Sequence, residues 1–144
     1  MYTTKKFKAA VACVLALLAF SSVAMAATSV GVTLKKAGGT ASSAWTSPAY
    51  SQAYCSGTNY YCTLNGQGYV TMKVKASTNS SGAGSTVVWN QTIPSSVSPS
   101  TITGYTNSSS TGRYYQVVLN NPDGKLASPW ATGNVSKASG WPKR

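Results

Sequence analysis

Residues 69–76 read YVTMKVKA. Val70, Met72, Val74 and Ala76 alternate with Tyr69, Thr71, Lys73 and Lys75, so one set is apolar and the other polar. A period of two puts the sets on opposite faces of an extended chain, the pattern of a half-buried antiparallel strand. The pair Asn65-Gly66 stands just upstream. Asn-Gly is the strongest short hairpin signal because a type I′ turn needs positive φ at both central residues. The expectation is a hairpin joining a strand at 60–64 to the one at 69–76.

The same period recurs along the chain. Val30, Val32 and Leu34 alternate with Ser29, Gly31, Thr33 and Lys35. Val87, Trp89 and Ile93 mark a strand over 85–93, with Trp89 set for the core between the other two, and a weaker strand covers 101–106. Residues 113–120 are apolar on both faces, which predicts a central strand. Gly-Gly at 38–39, Ser-Gly-Ala-Gly at 81–84 and Asn-Pro-Asp-Gly at 121–124 break the runs between them. Ser and Thr supply 35 of residues 27–144, too polar for ordinary helices but suited to strand surfaces and turns. No helical spacing persists over ten residues. The fold class expected is all-β: a single antiparallel β-sandwich, Ig-like or similar, of about seven strands, with a small β-barrel as runner-up.

Residues 1–26 have the three parts of a secretory signal. Lys5, Lys6 and Lys8 precede an apolar run from Ala9 to Phe20, and Ala24-Met25-Ala26 offers a small-x-small cleavage site before Ala27. Twelve apolar residues fall short of the roughly 20 that span a bilayer. The expectation is a secreted protein, extracellular or periplasmic, with a β-sandwich domain over 27–127 and a Pro/Gly-rich C-terminal strand or tail over 128–144. In an oxidising compartment Cys55 and Cys62 are expected to pair, closing a short structural ring.

Charge excludes most catalytic chemistry. The chain has 12 Lys or Arg, one acidic residue and no His. Neither a Ser-His-Asp set nor a carboxylate pair can be assembled, and a metal site would have no imidazole and at most one carboxylate. No enzyme activity, cofactor or metal is therefore expected.

Beyond the signal, nine bases face Asp123 alone. Such a balance makes a positive field that favours polyanions. The polar row of the 69–76 strand aligns Tyr69, Lys73 and Lys75, and a neighbouring strand carrying Arg113 and Tyr115 would complete a basic aromatic patch. The preferred reading is non-catalytic binding of a polyanionic glycan or envelope polymer. The alternatives are a small membrane-active toxin and a protease inhibitor, the latter presenting the Cys55–Cys62 loop with Tyr60 and Tyr61 to a protein target. A self-pairing strand at Val87-Val88-Trp89 would suit a structural component instead.

Overall fold

In a computed structural model, residues 28–35, 38–61, 68–122, 124 and 131–138 are described. The strands are β1 (Ser29–Leu34), β2 (Thr40–Ser42), β3 (Ala53–Asn59), β4 (Val70–Ser77), β5 (Thr86–Ile93), β6 (Ser100–Tyr105), β7 (Tyr114–Asn120) and β8 (Ala131–Lys137). They form two antiparallel four-stranded sheets, ordered β1-β8-β3-β6 and β2-β7-β4-β5. The all-β sandwich expected from the alternation is what forms, and the sheets do not close into the barrel held as runner-up.

Strand order differs from the Ig-like expectation. The pairs β1–β8, β2–β7, β3–β6 and β4–β5 nest inside one another, as though one long hairpin turning between β4 and β5 had been rolled into two layers. That is the order of an eight-stranded jelly roll. Periodicity reports which face of a strand is buried and carries nothing about which strands pair, so this could not be read locally. As its two-sided apolar pattern predicts, β7 is central, between β2 and β4.

In β3, which the sequence did not show, and in β8, which it showed only as a strand or tail over 128–144, the inward residues are small. β3 buries Ala53, Cys55, Gly57 and Asn59, and β8 buries Ala131, Gly133 and Val135. These rows face the larger side chains of the other sheet. A Cβ on Gly57 would stand 2.5 Å from Met72 Sδ and 2.8 Å from Ile93 Cδ1. One on Gly133 would stand 2.8 Å from Val117 Cγ1. Small residues on one sheet thus make room for Met72, Ile93, Val117 and Leu119 of the other, all at most 1 % exposed. Burial of each such side chain contributes about 1.5–3 kcal/mol.

Of the strand expected at 60–64, residues 62–64 lie outside the described residues; Tyr60 and Tyr61 are not strand, and β3 precedes them, ending at Asn59. The segment set apart as a C-terminal strand or tail supplies β8, which lies between β1 and β3 and hydrogen-bonds to both. The expected signal at 1–26, the Asn65-Gly66 turn, Cys62 and Asp123 lie outside the described residues.

Cys55 stands as a free, fully buried thiol on the inward row of β3. The expected bridge to Cys62 is therefore not seen. From Cys55 the strand stays extended through Asn59, carrying the chain roughly 13 Å. Bridged Cα atoms lie within about 7 Å, so closing the ring requires the chain to fold straight back over a strand already paired on both sides.

A bulge also corrects the reading of 85–93. Val74 pairs with Trp89 but Lys75 pairs with Val87, leaving Val88 as the extra residue. Val87 thereby turns to the outer face, where it is 49 % exposed. Trp89 is only partly buried, at the sandwich edge, and its indole covers Gly104 of β6.

Candidate functional site

The outer face of β4 carries the lysines. With Val70, Met72, Val74 and Ala76 turned to the core, Thr71, Lys73 and Lys75 must face away. Lys73 is exposed and lies between Val118 of β7 and Asn90 of β5; Lys75 is half-buried between Gln116 and Val87. Gln116 is held by a hydrogen bond from its Nε2 to the Ser43 carbonyl, 2.9 Å. Residues two apart on a strand have Cα atoms about 6.8 Å apart, and two like charges at that spacing in water repel by roughly 0.6 kcal/mol. An anion bridging them removes that repulsion.

Among the described residues no carboxylate answers these charges. Lys35, Lys73, Lys75, Arg113 and Lys137 are the described cations, and no Asp or Glu occurs among the described residues.

The residues singled out from the sequence separate into two groups. Tyr69 immediately precedes β4 in the same alternating row as Lys73 and Lys75, half-buried, its carbonyl accepting a hydrogen bond from Asn121 Nδ2 at 3.0 Å. Tyr115 is not on this face. It is 1 % exposed and stacks in the core on Tyr50. Its backbone N–H donates to Thr46 Oγ1 at 2.9 Å. Arg113 shares the row of Tyr115. It precedes β7 and exchanges two backbone hydrogen bonds with Tyr50, both 3.0 Å. Its charge acts on the Tyr115 phenol, easing an ionisation that burial makes harder.

The tyrosine that does join the lysines is Tyr114, half-buried, opposite Ser77 in the outer row of β7 with Gln116 and Val118. Because residues 113–120 are apolar on both faces, their sequence gives no parity, and only pairing with β4 distinguishes Tyr114 from Tyr115.

The aromatic cluster around Cys55 is also divided. Tyr50 is core, Tyr61 packs against the core, Tyr54 lies on an outer face, and Tyr60 is 45 % exposed. Trp45 lies over Gly82 in the β4–β5 turn, where φ is +82° and any Cβ would collide with the indole.

Compared with known proteins, the chain matches no protein-family model and no curated protein.

Proposed function

We propose that this protein is a secreted, non-catalytic binding module that holds a polyanionic glycan or envelope polymer against the outer face of β5-β4-β7. The observation that carries this reading is the pair Lys73 and Lys75, aligned on one strand face with no described carboxylate to neutralise it. Tyr114, Val118 and Val87 supply apolar surface between the charges. Binding of this kind is driven by charge and by counterion release, and therefore weakens steeply with salt.

The test is retention of the mature chain on a heparin matrix and on immobilised teichoic acid at rising salt. Retention at low salt that collapses at moderate salt, and that is lost in the Lys73→Glu/Lys75→Glu double variant, supports the reading. Retention indifferent to salt and to both substitutions overturns it. Leakage of dye from anionic vesicles would favour the membrane-active alternative. The inhibitor alternative loses part of its loop, since residues 55–59 are strand, paired on both sides.

A further inference from the structure

The opposite outer face, on β1-β8-β3-β6, holds a cleft of about 400 Å³, within the size range of small-ligand sites. Its polar side chains are Thr33, Ser56, Thr58, Thr132 and Asn134, with Gly31 and Val32 beside them. Strand register sets these in two rows. Thr33, Thr132 and Thr58 lie side by side, and Gly31, Asn134 and Ser56 lie side by side one step along. With strands about 4.8 Å apart, each row presents its polar groups over roughly 10 Å.

Two contacts show that these groups are oriented. Ser29 Oγ donates to Asn134 Oδ1 at 3.1 Å, and Asn134 Nδ2 stands beside Gly31 in the cleft lining. Thr58 Oγ1 and Thr101 Oγ1 are 2.9 Å apart and share a hydrogen bond, carrying the first row on to β6. Gly31 makes the recess. A Cβ there would stand 3.3 Å from Asn134 Nδ2 and would fill space the cleft now uses.

The next row on this face is aromatic. Tyr54 of β3 and Tyr105 of β6 are directly paired, with ring centroids 5.2 Å apart and planes tilted by 57°. Tyr105 is 51 % exposed. An exposed ring beside oriented hydroxyl and amide groups suits a ligand that is apolar on one face and covered with hydroxyls at its edge, as a pyranose is. No charged residue occurs in any of these rows; among the described residues Lys35 follows β1 and Lys137 ends β8 beside them. In so basic a protein, an uncharged cleft selects for polyhydroxyl chemistry and against an ionic ligand.

We propose that this cleft binds an uncharged glycan chain, with a sugar ring stacked at Tyr105 and Tyr54 and its neighbours hydrogen-bonded by Asn134, Thr132, Thr58 and Ser56. The site is separate from the lysine face and does not depend on it.

The test uses the full mature chain and three uncharged polymers: a β-1,4-glucan, a β-1,3-glucan and chitin. Binding is measured at about 0.5 M sodium chloride, where the Debye length is roughly 4 Å and charge attraction is screened. Retention on at least one polymer is expected. Tyr105→Ala should weaken it about fivefold or more, and the shape-conserving Thr132→Val should weaken it as well. Both positions lie on the outer face, and circular dichroism confirms that each variant is folded. Lys73→Glu/Lys75→Glu should leave this binding unchanged, just as Tyr105→Ala should leave low-salt heparin retention unchanged. No retention on any of the three polymers, or retention untouched by both cleft substitutions, overturns the proposal without bearing on the lysine face.

Discussion

The phenol rings of Tyr50 and Tyr115 stack with centroids 4.9 Å apart and planes 21° from parallel. This joins the connection between β2 and β3 to the start of β7. The hydroxyls of the two rings fare differently. Tyr115 Oη donates a long hydrogen bond of 3.3 Å to the Ser51 carbonyl. Tyr50 Oη is buried with no hydrogen-bond partner among the described residues. Thr46 lies near enough to ease its ionisation slightly but out of hydrogen-bonding geometry. Tyr50→Phe should therefore be neutral or stabilising, because it removes a buried polar atom that has nothing to bind. Tyr115→Phe should cost about 0.5–1 kcal/mol, and Tyr115→Ala about 3–5 kcal/mol. Urea unfolding of the three variants checks the order.

Alkali should unfold this protein in a defined window. Burial pushes the Cys55 thiol from 9.0 to about 12 and the Tyr50 phenol from 10.0 to about 12. Burial raises Tyr115 in the same direction. Folded values above unfolded values mean that the unfolded chain releases its protons first. The stability these groups contribute is therefore complete below about pH 9 and is lost as pH rises toward 12. Each group removes up to roughly 1.4 kcal/mol per pH unit within its own interval. Denaturant midpoints measured at pH 8, 10 and 11 should fall progressively.

The two sheets come close together at Gly57. Its missing Cβ leaves the space taken by Met72 Sδ and Ile93 Cδ1. Gly57→Ala forces those side chains aside and should cost about 1–3 kcal/mol. Gly57→Ala combined with Met72→Ala frees the space again, so its loss should be smaller than the sum of the single losses. Additive losses in a double-mutant cycle would show that the contact does not govern the spacing.

Asn121 ties three segments together from a fully buried position. Its Oδ1 accepts from the Gly38 N–H and its Nδ2 donates to the Tyr69 carbonyl, each at 3.0 Å. Asn121→Leu strands both backbone groups, at an expected loss of about 2–4 kcal/mol. Hydrogen exchange should show the Gly38 amide losing protection before the centre of β4 does.

On the lysine face, Tyr114 rather than Tyr115 should matter for binding. Tyr114→Ala should weaken low-salt retention on heparin severalfold with little loss of stability, since the side chain is only half-buried. Tyr115→Phe, although closer to the core, should leave retention unchanged. The reverse pattern would place the ligand elsewhere.

How much of this was legible in the sequence follows from the size of the inward residues. Where they are Val, Met, Leu or Ile, as in β1 and β4, alternation alone located the strand and its buried face; in β7, apolar on both faces, it located the strand and not the face. Where they are Ala, Cys, Gly and Asn, as in β3, no hydrophobic period exists to be read. Such residues are small because the opposing sheet is near, and that distance is a property of the assembled sandwich. The row of Lys73 and Lys75 was legible from parity within one strand. The cleft beside Tyr105 was not, since its residues come from three strands distant in sequence and each stretch reads as an unremarkable polar edge.

The sequence by itself determined that the protein is all-β, strongly basic and without the groups most enzymes need, because composition and a period of two are local properties. Tertiary structure alone decided the jelly-roll order, the burial of Tyr115 and the exposure of Tyr114. It also decided the bulge that turns Val87 outward and the gathering of Gly31, Ser56 and Asn134 on one face. Each of these depends on which strand lies beside which, and pairing is settled by how two faces fit across the core, not by the pattern along either strand.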